Sequence, residues 1–138
     1  MKIANIKFYN YKNSGVNQYY INRKNTRQVS YTGKVSLKNF SKWIEQNNIN
    51  AKSMYAYNTL LTEQQNNSKL MEKIKFTTPR VVSTRQTIDE LITDSQGKPF
   101  HSVEQLIGLY KKEKCIGIYD VQYDLKGNII DDYLKIYP

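Results

Sequence analysis

IGIYDVQY (116–123), DLKGN (124–128) and IIDDYLKIY (129–137) are the stretch whose reading decides the fold. Two runs rich in β-branched and aromatic residues flank five residues of turn chemistry, with Gly127 where a positive φ is needed. This predicts a C-terminal β-hairpin, which can extend a sheet formed elsewhere in the chain.

Working back toward the N-terminus, Ser102 is placed to cap a helix with Glu104 early and Lys111, Lys112 and Lys114 late, the order the helix dipole favours. Gln96-Gly97-Lys98-Pro99 reads as a turn. A short helix is expected from Thr87 to Thr93, with Asp89 and Glu90 in its first turn. Thr77-Thr78-Pro79 ends a helical region that begins at Ser36. Within that region Leu37, Phe40, Trp43 and Ile44 recur at helical spacing up to Asn47-Asn48. Asn50 can cap a second helix carrying Met54, Tyr57, Leu60 and Leu61, and Leu70, Met71 and Ile74 resume the pattern.

At the N-terminus the period changes to two. Ala4, Ile6 and Phe8 alternate with Lys7, Tyr9 and Tyr11, Asn13-Ser14-Gly15 supplies a turn, and Gln18–Arg23 and Arg27–Tyr31 read as further strands. The fold class is therefore α+β in a single compact domain, residues 1–138. A small antiparallel β-sheet occupies the basic segment 1–35, a helical middle spans 36–76, and helices followed by the C-terminal β-hairpin fill 77–138.

Charge is segregated along this plan. The first 44 residues hold nine Lys or Arg and no Asp or Glu, whereas residues 45–138 hold twelve of each sign, so the whole net charge of +9 lies in the N-terminal third. Basic groups attract phosphate and flat rings stack on bases. The expected partner is thus a nucleic acid, DNA or RNA, or a protein that carries one. Lys7, Lys12, Arg23, Lys24, Arg27 and Lys34 would supply charge, and Tyr9, Tyr11, Tyr20 and Tyr31 would supply stacking. An AT-rich genome would also enrich Tyr, Asn and Lys, so the excess of tyrosine has a second source.

Residues 40–61 partly resemble a helix-turn-helix, in which the second helix is presented to the major groove. Trp43, Ile49, Met54 and Tyr57 match its apolar offsets. Ile44 stands where the motif has a small residue, Asn47 where it has an apolar one, and Asn48 in place of the turn glycine. The resemblance implies secondary groove contacts from Lys52, Ser53, Tyr55 and Asn58.

Catalytic chemistry has little to work with. His101 is the sole histidine and Cys115 the sole cysteine, so a His pair, an internal disulfide and a multi-cysteine zinc site are excluded within one chain. Cys115 lies beside Ile116 in an apolar run, the setting of an inert thiol. Asp120, Asp124, Asp131 and Asp132 could hold Mg²⁺ as paired carboxylates, but strand ends and turns also draw Asp for local hydrogen bonding; no metal and no cofactor is expected. No apolar run approaches a signal peptide or the ~20 residues of a membrane span, which predicts a cytosolic protein with no membrane partner. Two other functions fit the same residues. One is a phage or mobile-element inhibitor of a host defence nuclease, of anti-CRISPR type, acting on a protein or ribonucleoprotein. The other is a small RNase toxin built from Tyr20, Arg23, Arg27 and His101.

Overall fold

The computed structural model describes residues 7–13, 16–22, 39–93, 97 and 99–138, with side chains described for 39–88, 97 and 100–138. Six strands, β1 (Lys7–Asn13), β2 (Val16–Asn22), β3 (Thr78–Thr93), β4 (Pro99–Lys111), β5 (Lys114–Tyr123) and β6 (Ile129–Ile136), form one sheet in the order β1-β2-β6-β5-β4-β3. Every neighbouring pair is antiparallel. Helices α1 (Phe40–Gln46), α2 (Ile49–Glu63) and α3 (Ser68–Ile74) lie between β2 and β3 in sequence. The α+β class is as expected. The N-terminal strands do not form a sheet of their own, however: β2 pairs with β6, so both ends of the chain meet in one sheet.

Helices α2 and α3 cover one face of that sheet. Ile49, Ala56, Tyr57 and Leu60 of α2 and Leu70 and Ile74 of α3 pack with Val103, Ile107 and Leu109 of β4, Tyr119, Val121 and Tyr123 of β5, and Leu134 and Ile136 of β6. The sheet residues alternate, as they must when one face is buried against helices and successive side chains point to opposite faces. Phe40, Trp43 and Ile44 of α1 pack on the margin of the same core.

Buried hydroxyls of β5 make three contacts, two from Tyr123 to α2 and one from Tyr119 to β6. Ser53 Oγ and Tyr123 Oη lie 2.6 Å apart, Tyr123 Oη also donates to the Ile49 carbonyl, and Tyr119 Oη donates to Asp132 Oδ2 at 2.5 Å. Burial, opposed by the Ser53 hydrogen bond and assisted by the Asp132 charge, pushes the Tyr123 phenol up to about 12, so it stays protonated across the physiological range.

The predicted hairpin is present as β5 and β6, with Gly127 at φ +85°. Asp124 accepts from the backbone N–H groups of Lys126 and Asn128, which places it in the turn as a local hydrogen-bonding residue. The helical layer grips this turn: Trp43 Nε1 donates to the Leu125 carbonyl at 3.0 Å and Lys52 Nζ to the Gly127 carbonyl at 2.8 Å.

Two expected helices are strands. Residues 87–93 belong to β3 and residues 102–111 to β4, and Ser102 is no cap, since its Oγ lies 2.7 Å from Thr87 Oγ1 across the two strands. β-branched residues crowd 77–93, and Gly108 would cost a helix interior about 1 kcal/mol. Pairing on both sides of β4 then settles the outcome. The third expected strand, Arg27–Tyr31, and the Ser36 cap fall outside the described residues; α1 itself begins at Phe40.

Candidate functional site

The sheet face turned away from the helices carries the polar chemistry. On β4 it presents Ser102, Glu104, Leu106 and Gly108, the positions that alternate with the core residues. The register continues these into rows across the sheet. Ser83, Leu106, Asp120 and Tyr133 lie opposite one another in succession, and that row ends at Asn22 of β2 and Lys7 of β1. The next row runs Arg80, Gly108, Ile118, Lys135, Tyr20 and Tyr9.

Three carboxyl groups and an arginine meet on this face. Arg85 donates from Nε at 2.9 Å and approaches through Nη2 at 2.8 Å, both to Glu104 Oε1. Asp120 shares a hydrogen bond with Glu104. Asp131 accepts from Tyr133 Oη at 2.6 Å. Desolvation by burial pushes the Asp120 carboxyl up to about 8, with further upward contributions from the Glu104 hydrogen bond and charge and from the Asp131 charge, against a downward pull from Arg85. At neutral pH Asp120 therefore keeps its proton, which relieves the repulsion that three carboxylates would otherwise exert. Its Oδ1 is buried with no hydrogen-bond partner among the described residues.

Next to this cluster lies a shallow cavity of about 310 Å³, lined by Leu106, Ile118, Asp120, Tyr133, Lys135 and Tyr137. Its lining thus combines two aliphatic side chains, two phenol rings, one cation and the neutral carboxyl. Toward β3, the Arg80 guanidinium stands 4.9 Å from the centre of the Tyr110 ring, a cation–π contact that holds both groups. Gly108 makes room for that ring, because a Cβ there would lie 2.7 Å from Tyr110 Cε2.

The sequence-predicted residues divide into three groups. Positions Lys7, Tyr9 and Tyr11 alternate along β1; Lys7 falls in the row of Tyr133 and Tyr9, opposite Tyr20, in the row of Lys135, while Tyr11 stands opposite Gln18 beyond the β2–β6 pairing. Lys12 stands opposite Asn17 in the other set of rows. Arg23, Lys24, Arg27, Tyr31 and Lys34 lie outside the described residues. Sequence reasoning missed Arg80, Arg85, Glu104, Tyr110, Tyr133, Lys135 and Tyr137. Period-two alternation in 102–109 was the signal for Glu104 and Leu106.

The helix-turn-helix contacts do not assemble. Asn48 does take the left-handed conformation, at φ 52°, and Tyr55 and Asn58 are exposed. Ser53 is fully buried against Tyr123, though, and Lys52 is engaged with the hairpin turn, so this helix turns the centre of its expected reading face into the core. The RNase set is also split. His101, with Nδ1 3.2 Å from Gln86 Nε2, falls by alternation in the row of Val103 on the helix-side face, whereas Tyr20 occupies a row of the opposite face. Among the aspartates, Asp132 sits on the core side bound by Tyr119 and Asp124 in the turn, apart from Asp120 and Asp131, and no cluster of three potential metal ligands occurs among the described residues. Cys115 is half-buried with its thiol donating to the Gly117 carbonyl at 3.3 Å. No described helix is long and apolar enough to cross a membrane.

Comparison with known proteins returns no match to a protein-family model, to a curated protein or to a solved structure.

Proposed function

We propose that the protein is a nucleic-acid-binding module that lays a single strand across the sheet face opposite its helices. The observation that carries this reading is the register: it sets positions Lys7, Tyr9 and Tyr20 of the basic, tyrosine-rich segment in the same rows as Tyr133 and Lys135. An antiparallel sheet with helices behind it and aromatic rings in front suits unstacked bases, because rings stack on any base while cations hold the backbone. Arg80 and Lys135 would serve the phosphates, with Tyr110, Tyr133 and Tyr137 beside them. The neutral Asp120 limits the negative charge that a phosphate would meet there.

The test is fluorescence anisotropy with labelled single-stranded RNA, single-stranded DNA and duplex DNA across a salt series. If six cations of the basic segment contact phosphates, the logarithmic salt slope on a single strand should be about −4. Lys135→Glu and the pair Tyr9→Ala, Tyr20→Ala should each weaken binding at least tenfold. No binding of any form at low salt would reject the reading.

A second reading is favoured by one observation. Residues 45–138 hold twelve acidic and twelve basic groups, and a mixed-sign surface suits a protein or ribonucleoprotein target such as a host nuclease. Under it, free nucleic acid does not bind while pull-downs with such a nuclease do.

A further inference from the structure

We infer that the protein self-associates through the exposed edge of β3, pairing two copies into one continuous sheet. β3 ends the sheet, and its far edge meets no strand among the described residues. Ile88 of this strand is 57% exposed, an apolar position on an open edge that a lone sheet would ordinarily protect, while the exposed Val81 and Val82 lie in the irregular first part of the strand. Pro79 and the irregular register at Val81–Ser83 close the first part of the edge to further pairing, leaving the stretch from Ser83 to Asp89.

The choice of a second copy as occupant comes from the order of charges along the strand. Arg85 precedes Thr87 by two positions and Asp89 follows it by two, and the three positions stand opposite Glu104, Ser102 and Phe100 of β4. An antiparallel pair of identical strands with Thr87 on the symmetry axis therefore sets position Arg85 opposite position Asp89 of the second copy, twice, around a central Thr–Thr pair. Opposite charges and threonine pairs are favourable cross-strand neighbours. Gln86 stands opposite Ile88 in the same register. This arrangement is isologous and closes at two copies.

The symmetry has a consequence for shape. A two-fold relating adjacent antiparallel strands runs perpendicular to the sheet, so it keeps each face on its own side. Both helical layers then lie on one side, and both polar faces join on the other. The pairing does not depend on what those faces bind.

Light scattering after size exclusion, without nucleic acid and across a concentration series, tests the inference. Wild type should approach twice the 16.2 kDa chain mass. Asp89→Arg sets Arg opposite Arg and Ile88→Lys places a charge on the apolar edge; each should return the mass to one chain with an unchanged circular dichroism spectrum. Thr87→Cys in a Cys115→Ser background should form a covalent dimer on mild oxidation. A wild type that stays at one chain mass, a dimer that survives both charge variants, or failure of the cysteine pair to cross-link would overturn it.

Discussion

Replacing Asp120 with Asn removes a carboxyl whose titration lies far above the ordinary carboxylate range, and the effect on stability has a definite sign. In the unfolded chain an Asp titrates at its ordinary 3.8, while in the folded protein Asp120 does so at about 8. Between those values the folded state holds a proton that the unfolded state has released. The site's contribution is therefore greatest in acid and is lost as pH rises through about 8. One extra proton gives a slope of at most about 1.4 kcal/mol per pH unit, or about 2.7 kcal/mol between pH 5 and 7. Solvent screening at a half-buried carboxyl trims this to about 1–2 kcal/mol. The amide of the variant cannot titrate and keeps a donor for Glu104. The Asp120→Asn protein should match wild type near pH 5, gain on it steadily above that, and hold a constant lead once pH exceeds about 8. Urea unfolding of both proteins at unit pH steps, followed by the fluorescence of Trp43, the single tryptophan, measures the difference. Trp43 reports well because its indole is bonded to the hairpin turn. A difference that does not change with pH, or one that moves in favour of wild type as pH rises, would refute the account of Glu104, Asp131 and burial acting on Asp120.

Three further outcomes follow from the packing. Gly117→Ala should cost about 2–3 kcal/mol in denaturant unfolding, because its Cβ would lie 2.7 Å from the Lys135 carbonyl oxygen and only a backbone shift in β5 or β6 relieves that. Tyr119→Phe should lower stability by about 2 kcal/mol by taking the phenol from the buried Asp132 side chain, with the loss read as a lower thermal midpoint. Gly127→Ala should destabilise by about 1–2 kcal/mol, since it adds the strain of φ +85° to a clash with Asn47, and the change should appear as a red shift of the Trp43 emission as the turn leaves α1.

How far the fold could be read from the chain depended on whether each buried row was apolar. The β5–β6 hairpin was legible because its alternation and its glycine turn agree. The helices of 40–74 were legible because Trp43, Tyr57, Leu60, Leu70 and Ile74 keep helical spacing. β4 was not. Val103, Leu106, Ile107 and Tyr110 also fit a helix, and the true period-two row, Val103, Gln105, Ile107 and Leu109, is broken by a polar residue. Gln105 is tolerated there because its amide donates to Asn50 Oδ1 at 2.6 Å and Thr84 Oγ1 at 3.0 Å, partners that are 55 and 21 residues away. The irregular register at Val81–Ser83 hid the period of β3 in the same way. The polar face was harder still, since Arg85, Glu104, Asp120 and Lys135 come from four strands and share no local pattern.

By itself the sequence determined the α+β class, the hairpin, the apolar stripe of the helices and the gathering of all net charge in the first 44 residues, because these depend on local periodicity and composition. Only the tertiary structure decided that 78–93 and 99–111 are strands, that β2 docks on β6, and that the rows of the Asp120 cluster run on to the N-terminal tyrosine positions. The physical reason is that strand pairing and proton sharing are long-range: each needs groups that are distant in the chain to be brought to a common register, which the shared sheet supplies.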